Sequence, residues 1–206
     1  MKLQNTVFKL EIIKMEQIFT DETFDKEDFI ENTLAKGEYE NCIFKNCAFS
    51  YADFSEIIFS ECEFISCDLS LIKLAKTGFR DVIFKDCKML GLHFEDCNQI
   101  GLSFNFENCS LNHSSFYQSK IKKTIFKNCQ LQEVDFTECD LTNAVFASCD
   151  LTRATFENTI IEKADFRTSF NYSIDPANNK IKKAKFSLSE IAGLLDKYDI
   201  EIDETN

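Results

Sequence analysis

Large apolar residues recur at every fifth position through most of this chain. From Phe19, successive blocks of five end in phenylalanine, leucine, isoleucine, methionine or tyrosine, with Gln99 as the exception, until the pattern fades at RTSFNYSIDP (167–176) and returns at ANNKIKKAKF (177–186). Steps of five residues scatter around an α-helix and alternate between the two faces of a flat strand, so neither regular element fits the pattern. The spacing therefore predicts a chain that turns a corner once in each block.

A longer period sets the number of corners in each turn. CIFKNC at 42–47 returns as VIFKDC at 82–87, eight blocks later, and as TIFKNC at 124–129, after eight more blocks and a slip of two. Every fourth block ends in phenylalanine, which indicates four blocks per turn, four sides and a slip near 101–106. Such coils stack at about the strand spacing, roughly 4.8 Å, so we predict an all-β solenoid, a quadrilateral β-helix, over 19–186. The predicted core ladder is Phe24, Phe44, Phe64, Phe84, Phe104, Phe126, Phe146, Phe166 and Phe186.

The ten cysteines occupy one position of the repeat, two residues before the apolar centre of a block. The other occupants of this position are mostly small, such as Ala52 and Ala144. A free cysteine behaves as a small hydrophobe and is among the most buried residue types. Cysteines in successive coils without clustered histidines do not form a four-ligand zinc shell, and disulfides are rare in a reducing compartment. We therefore predict buried free thiols at Cys42, Cys47, Cys62, Cys67, Cys87, Cys97, Cys109, Cys129, Cys139 and Cys149.

The chain carries a net charge of −12. This charge argues against direct binding of nucleic acid, because phosphate contacts need a basic surface, but it is compatible with a basic protein partner. The charge is uneven: the balance is −10 over 16–63, +3 over 64–130 and −6 over 131–175. No apolar run has the length of a signal peptide or a membrane span, so we expect a soluble, cytoplasmic protein with no membrane partner.

Catalysis requires reactive groups that converge in a pocket. The two histidines, His93 and His113, fall at outward positions on different sides of the predicted coil, and neither has an evident carboxylate and nucleophile beside it. Paired carboxylates such as Asp135 and Asp140 follow from a repeat that favours aspartate before its apolar centre. A stack filled by phenylalanine and cysteine leaves no internal cavity. We therefore predict no catalytic, cofactor or metal site, and a protein that is not an enzyme.

The chain ends in a segment of different character, 187–206. In SLSEIAGLLDKYDIEID, Ser187 and Glu190 have the spacing of a capping box, and apolar residues follow at helical spacing. This pattern predicts a short C-terminal α-helix, after which 200–203 alternates like a strand. Two readings remain open: the segment only covers the last coil, as a solenoid terminus must, or it also joins two copies. Residues 1–18 are predicted to cap the other end.

The repeat is similar to that of the pentapeptide repeat proteins, whose motif is A(D/N)LXX. The resemblance extends over about 19–186 and implies a right-handed quadrilateral β-helix. It also implies that the block centre and the residue two before it point inward, while the other three point outward. The best matches to the motif are Ala52-Asp53-Phe54, Cys67-Asp68-Leu69, Cys139-Asp140-Leu141, Cys149-Asp150-Leu151 and Ala164-Asp165-Phe166.

Within that family, the chain resembles the Qnr and MfpA type in its length, its uninterrupted helix and its C-terminal segment. Members of this type are rod-like dimers that imitate duplex DNA, bind type II topoisomerases, DNA gyrase above all, and protect them from quinolones. The resemblance therefore implies a homodimer with DNA gyrase or topoisomerase IV as its protein partner. The implied dimer interface consists of Leu188, Ile191, Leu194, Leu195, Tyr198, Ile200 and Ile202.

Two features depart from that type. A DNA mimic should present a continuous negative surface, but the middle of this chain is basic, with Lys120, Lys122 and Lys123 close together. Active Qnr proteins also carry loops that leave the helix, whereas the only irregularity here is the slip of two residues. The alternative interpretation is a structural or scaffold module for an unrelated protein partner.

Overall fold

The computed structural model describes residues 17–203 of the chain. These residues contain eleven short strands and three 3-10 helices. The strands are β1 (Gln17–Thr20), β2 (Thr23–Asp25), β3 (Gly37–Glu40), β4 (Ile43–Lys45), β5 (Ile58–Ser60), β6 (Glu63–Ile65), β7 (Gly78–Arg80), β8 (Val82–Lys85), β9 (Phe104–Glu107), β10 (Ile125–Lys127) and β11 (Val145–Ala147). The 3-10 helices are Phe94–Asp96, Ile191–Leu194 and Asp196–Tyr198. Within 17–203, no helix is long and apolar enough to span a membrane.

The strands stack in register into two parallel sheets. Phe24 pairs with Phe44 and Phe44 with Phe64, so neighbouring strands are one coil of four blocks apart. The seven-stranded sheet has the order β11-β10-β9-β8-β6-β4-β2, and the four-stranded sheet has the order β1-β3-β5-β7. Isolated parallel bridges, such as Asp53 with Lys73, continue the stacking on the remaining sides. The protein is therefore an all-β parallel solenoid with four sides.

We number the four sides of the solenoid and identify each side by the buried residue at its centre in one representative coil. Face 1 is centred on Phe44, face 2 on Phe49, face 3 on Phe54 and face 4 on Phe59, and all four rings are fully buried. Face 1 carries the seven-stranded sheet and face 4 the four-stranded sheet. Residues at the same position of successive coils form a column, so charges that are far apart in sequence lie side by side.

Phenylalanine rings stack in a continuous ladder inside face 1. The ring centroids of Phe44 and Phe64 lie 4.7 Å apart, and those of Phe126 and Phe146 lie 4.9 Å apart, with interplanar angles of 9° and 8°. Stacked aromatic rings at this spacing combine large burial with a favourable geometry. The observed ladder is Phe24, Phe44, Phe64, Phe84, Phe106, Phe126, Phe146, Phe166 and Phe186.

One member of the predicted ladder is wrong. Phe84 pairs with Phe106, and Phe104 instead pairs with Val82, two residues before the centre. The physical reason is that the extra residues enter at 99–101, before the chain reaches face 1. The register has therefore already shifted when Phe104 is placed.

Residues 99–101 form a bulge on face 4. The backbone N–H of Ser103 donates to Phe79 O of the preceding coil. These two residues are further apart in sequence than the partners of the regular bonds between coils. Gly101 has a φ of +73°, a left-handed conformation that glycine adopts without steric cost. The side chain of Ile100 is 82% exposed at the tip of the bulge. Face 4 is therefore divided into two parts by one protruding apolar residue.

The corners of the coils are built almost without glycine. In most blocks the second residue after the centre lies in the left-handed region, and 27 non-glycine residues of the described chain have positive φ. The N–H of this residue donates to a carbonyl of the next coil, as from Asn41 to Ser60 O at 2.9 Å and from Asn46 to Ile65 O at 2.9 Å. Because the conformation costs a non-glycine residue roughly 1–2 kcal/mol, the stacking of the coils must offset it.

Aspartate directly before a block centre stabilises the next turn. Asp150 Oδ1 accepts the backbone N–H of Thr152 at 3.1 Å, and Asp135 Oδ1 accepts that of Thr137 at 2.8 Å. This bond satisfies a backbone donor that the turn would otherwise leave free. The same bond is made by Asp28, Asp53, Asp68, Asp140, Asp165 and Asp175.

The C-terminal segment differs from the predicted α-helix, because it forms two 3-10 helices, Ile191–Leu194 and Asp196–Tyr198. The predicted capping box is absent. Ser187 Oγ lies 3.1 Å from Ser189 Oγ, and the carboxylate of Glu190 accepts the N–H of Asn171 at 3.3 Å instead.

Pairing with the preceding coil explains this difference. Gly193 O accepts the N–H of Ile174 at 2.9 Å. These two residues have the same separation in sequence as the partners of the corner bonds described above. A Cβ at Gly193 would lie 2.0 Å from Tyr172 O, so the two backbones are in close contact. The segment therefore continues the solenoid as a final partial coil, and its backbone groups are not available for a regular α-helix.

The predicted N-terminal cap, 1–18, lies outside the described residues except for Gln17 and Ile18, which belong to β1. The last residues of the predicted C-terminal cap, 204–206, also lie outside them.

Candidate protein-interaction faces

All ten cysteines are buried and unpaired inside the coils. Cys67 Sγ donates to Phe44 O of the preceding coil at 3.4 Å, and the other thiols of the column under face 2 make similar contacts. Burial raises the pKa of Cys47 to about 11 and that of Cys62 to about 12, so the reactive thiolate is suppressed. Within 17–203, no group of three or more histidine, cysteine or acidic side chains is placed to hold a metal ion. The column under face 2 consists of Cys47, Cys67, Cys87, Cys109, Cys129 and Cys149.

Both histidines lie at the surface beside a carboxylate. His93 Nδ1 on face 3 is 3.0 Å from Glu95 Oε1, and His113 Nδ1 on face 2 is 3.1 Å from Glu133 Oε2. The sequence analysis missed both partners, although Glu133 follows His113 by four blocks, which places the two side chains in adjacent coils. Neither pair has a nucleophile beside it in the described chain, so each is a surface ion pair when the imidazole is protonated.

Acidic charge is concentrated on two adjacent faces. Between 20 and 186, with each corner residue assigned to the face before it, face 2 carries six acids and two bases, and face 3 carries eight acids and three bases. Their net charges are therefore −4 and −5. The acids of face 2 are Glu27, Asp28, Glu31, Asp68, Glu133 and Asp150, and those of face 3 are Asp53, Glu56, Glu95, Asp96, Asp135, Glu138, Glu157 and Asp175.

Face 1 is electrically neutral, with six acids and six bases between 20 and 186. Its charges alternate along the columns and pair across coils. Lys85 Nζ lies 2.9 Å from Glu63 Oε2, and Lys127 Nζ lies 2.6 Å from Glu107 Oε1. This face therefore has little net field to attract a charged partner.

Face 4 carries opposite charges on the two sides of the bulge. The part before the bulge has a net charge of −4 and the part after it a net charge of +5. Lys122 Nζ is 3.1 Å from Asp140 Oδ2 in the second part. The first part has the acids Asp21, Glu38, Glu40, Glu61 and Asp81 with Arg80. The second part has Lys120, Lys122, Lys123, Lys163, Lys180, Lys182 and Lys183 with Asp140 and Glu162.

The predicted dimer interface is partly exposed and partly used within the chain. Leu188 is 89% exposed, whereas Leu194 packs against the hydrophobic core. Tyr172, which lies under the segment, is buried with an unpaired hydroxyl. The remaining exposed apolar residues of the interface are Ile191, Tyr198, Ile200 and Ile202.

A family model described as the pentapeptide repeat region matches residues 37–105 and 92–166. Together these matches cover more than half of the chain. No curated protein matches the chain by sequence.

Several solved structures are similar in shape. Two trypsin-treated structures of QnrB1, a plasmid-mediated fluoroquinolone resistance protein, have TM-scores of 0.59 and 0.60 at 17% and 14% identity. Each match covers 91% of this chain, and 98% and 92% of the QnrB1 chains. HetL, a pentapeptide repeat protein involved in heterocyst differentiation regulation from the cyanobacterium Nostoc, is 16% identical over 82% of this chain and 85% of its own, with a TM-score of 0.43. The QnrB1 matches support the fold.

Proposed function

This chain belongs to the pentapeptide repeat family, and from that premise we propose that it is a non-enzymatic interaction protein that binds a basic partner through faces 2 and 3. The observation that supports this proposal best is the concentration of acids on these two adjacent faces. The partner that we propose is a type II topoisomerase, DNA gyrase or topoisomerase IV. The chain would occupy the basic surface that binds duplex DNA and protect the enzyme from quinolones.

The charge density of the two faces can be compared with that of DNA. Faces 2 and 3 together carry 14 acids and five bases between 20 and 186, a net charge of −9. Eight coil spacings give a length of roughly 40 Å. This corresponds to about one net negative charge per 4 Å, against one per 1.7 Å in duplex DNA. Attraction to a basic groove is therefore expected to be weaker than that of DNA and strongly dependent on salt.

The pKa is lowered for four turn aspartates on these faces, Asp53, Asp68, Asp150 and Asp175, so these four keep their charge at neutral pH. Burial raises the pKa of Asp150, but hydrogen bonds from Thr152, Gln132 and Asn171 more than offset this and lower it to about 2. Six of the 14 acids on faces 2 and 3 are turn aspartates of this kind. Each therefore serves both the fold and the surface charge.

A supercoiling assay tests the topoisomerase partner. We expect the wild-type protein to inhibit DNA gyrase or topoisomerase IV, or to protect it from a quinolone. The triple variant Glu56→Gln, Glu138→Gln, Glu157→Gln should need roughly tenfold more protein for the same effect at low salt, because fewer charges steer the encounter. These three acids are outside the turn hydrogen bonds, so the coil should remain intact.

The matched control removes three acids from the neutral face 1, as Glu63→Gln, Asp86→Asn, Glu107→Gln. It makes the same change in net charge and should leave the effect on the topoisomerase nearly unchanged. Absence of any effect of the wild-type protein in excess would reject the topoisomerase partner. Equal losses in both triple variants would reject faces 2 and 3 as the binding surface.

The second candidate is a scaffold for an unrelated protein. It is favoured by the basic part of face 4 and by the bulge at 99–101, the one insertion in the coils of the described chain, which is too short to reach a distant surface. This candidate predicts that the chain captures a partner in a pull-down that contains no topoisomerase. The ten unpaired thiols fit a reducing compartment, so we place either function in the cytoplasm.

The proposal includes a homodimer formed through the C-terminal segment. Leu188 and Tyr198 are the exposed apolar residues that support it, at 89% and 59% exposure. Leu188→Glu with Tyr198→Glu should convert the dimer to a monomer in light scattering at physiological salt. The matched control is Tyr51→Glu with Leu71→Glu on face 2, which should leave the mass unchanged. A monomeric wild-type protein would contradict this interface.

A further inference from the structure

Face 4 has an acidic part and a basic part, and the proposed binding of a topoisomerase through faces 2 and 3 does not use this distribution of charge. Its acidic part and its basic part are separated by the bulge, and Ile100 protrudes between them. Of the seven lysines of the basic part, only Lys122 forms an ion pair within the described residues, with Asp140. The other six are therefore available to acidic groups of another molecule.

The two parts are arranged symmetrically about the bulge. One coil before it lies the coil of Asp81, and one coil after it lies that of Lys120 and Lys122. Three coils away on either side lie Glu40 and Lys163. The coil of Asp81 also carries Arg80, and that of Lys163 also carries Glu162, so the charges are opposite for the two parts as wholes, −4 against +5, and not in every pair of coils.

The fourth coil on either side continues the pattern, with Asp21 before the bulge and Lys182 after it. The second coil is the exception, because Glu61 is matched with Asp140. The carboxylate of Asp140, however, is already neutralised by Lys122 at 3.1 Å.

A surface with this symmetry is complementary to itself. A two-fold axis that lies between two facing copies, parallel to the faces and perpendicular to the long axis of the solenoid at the level of the bulge, places the acidic part of one copy over the basic part of the other. In such an isologous contact, residue i meets residue j and residue j meets residue i, so each charge pair forms twice. The two Ile100 side chains meet at the axis, where the contact most needs apolar burial.

We propose that face 4 is a self-association surface, through which two copies pack side by side in antiparallel orientation with the 99–101 bulge at the two-fold axis. This contact is distinct from the end-to-end dimer made by the C-terminal segment, and either can form without the other. Its footprint is roughly 40 Å by 10 Å, or about 400 Å² per copy. Stable interfaces bury about 800 Å² per partner, so the contact belongs to the weak, transient class. Because it depends on charge, salt should dissociate it.

Charge exchange between the two parts gives the first test. Lys163→Glu, Lys180→Glu and Lys182→Glu together change the net charge of the basic part from +5 to −1, and Asp21→Lys, Glu40→Lys and Glu61→Lys together change that of the acidic part from −4 to +2. Each variant alone should show no increase in mass when salt is lowered, in sedimentation or light scattering. An equimolar mixture of the two should regain the increase, because each altered part then meets an oppositely altered part.

The control variant is Lys36→Glu, Lys73→Glu and Lys76→Glu on face 3, which makes the same change in net charge as the lysine variant. It should associate like the wild-type protein. A wild-type mass that does not rise at low salt would overturn the proposal. A mixture that stays at the mass of its components would also overturn the proposal, since an acidic partner of another kind would then fit the lysines better.

Cross-linking gives a test that is independent of the C-terminal dimer. All native cysteines are buried, so Ile100→Cys introduces the one exposed thiol of the chain. At low salt under mild oxidation it should form a covalent dimer, because disulfides require Cα atoms within about 7 Å. In an end-to-end dimer the two thiols would lie roughly 40 Å apart.

Tyr51→Cys on face 2 is the matched control, since Tyr51 is also exposed, and it should cross-link much less. Equal cross-linking of the two variants would mean random collision and would overturn the proposal.

Discussion

At the scale of single residues, each position of the five-residue block has its own physical task. The centre fills the interior, as Phe126 does with a fully buried ring. The position two before it holds mostly small side chains, with larger exceptions such as Ile57 and Phe104. Cysteine suits it because the thiol is small and donates weakly to a carbonyl of the preceding coil. The acids and lysines of the outward positions are free to vary, which is why function is carried there.

Removal of one ring from the middle of the ladder should be costly. Phe126 lies between Phe106 at 5.2 Å and Phe146 at 4.9 Å. We expect Phe126→Ala to lower the free energy of unfolding by about 3–5 kcal/mol through lost burial and a cavity. Phe186→Ala, at the half-buried end of the ladder, should cost less than about half as much. Urea denaturation measures both values, and similar losses would contradict a core that is tightest in the middle.

The buried thiols should make the fold sensitive to alkali. The folded pKa values of Cys47 and Cys62 are about 11 and 12, above the ordinary value of an exposed thiol. Above about pH 9, the unfolded chain loses these protons while the folded chain keeps them. The free energy of unfolding should therefore fall as pH rises.

Equilibrium unfolding at several pH values between about 7.5 and 10.5 checks this prediction. The decline should be shallower in the variant Cys47→Ala with Cys62→Ala, and unchanged in the surface control Ser66→Ala. Rapid reaction of the native protein with a thiol reagent near neutral pH would count against buried, protonated thiols.

At the scale of the structural element, the unit is one coil, with four corners and four short extended sides. The corner residue adopts positive φ and donates its N–H to the next coil, so the strain of one coil is offset only when another stacks on it. The terminal coil has no such neighbour, and the C-terminal segment supplies part of one through Gly193 O and the carboxylate of Glu190. The same demand prevents that segment from forming a regular α-helix.

An asparagine at a strained corner should stabilise the coil. Tyr51 has a φ of +63° and an exposed side chain, so it bears the strain without contributing much burial. Because asparagine tolerates the left-handed conformation better, we expect Tyr51→Asn to raise the free energy of unfolding by about 0.5 kcal/mol. The neighbouring change Ser50→Asn, at a residue with ordinary φ, should have no such effect. Thermal and urea unfolding distinguish them, and equal effects would contradict the role assigned to corner strain.

At the scale of the whole molecule, stacking sorts the charges into faces. Faces 2 and 3 are acidic, face 1 is neutral and face 4 is divided. The charge balance along the sequence, with a basic middle, suggested an interrupted negative surface. In the folded chain the interruption is confined largely to one part of face 4. Of the two acidic faces, face 3 adjoins it and face 2 lies opposite, and neither shares its charge.

The crowding of acids on faces 2 and 3 should make stability depend on salt. With a net charge of −12, added salt should raise the melting temperature by screening repulsion. The variant Glu56→Gln, Glu138→Gln, Glu157→Gln should show a smaller rise than the wild-type protein. The face 1 variant Glu63→Gln, Asp86→Asn, Glu107→Gln should not, because Glu63 and Glu107 are paired with lysines and Asp86 accepts a hydrogen bond from Asn108. A melting temperature that falls with salt would indicate that ion pairs outweigh the repulsion.

Much of the fold was determined by the sequence alone, because a five-residue period with one inward centre leaves a single repeating geometry. The four sides, the stack of rings on face 1 and the inward position of the cysteines follow from local spacing, and they require no knowledge of distant contacts. The shifted register of Phe104 could not be placed in this way, because a two-residue insertion can enter at any corner between two repeats. Only the pairing of Phe84 with Phe106 locates it at 99–101.

The tertiary structure decided the features on which function depends. Lys120 and Lys180 are distant in sequence, yet they belong to one part of face 4, because the coil returns to each column once in every four blocks. The C-terminal segment follows the same rule, since the hydrogen bonds that it accepts from Ile174 and Asn171 outweigh its local helical pattern. Local spacing determines which residues point inward, whereas stacking determines which outward residues become neighbours, and the surface charge of this protein is a property of the stack.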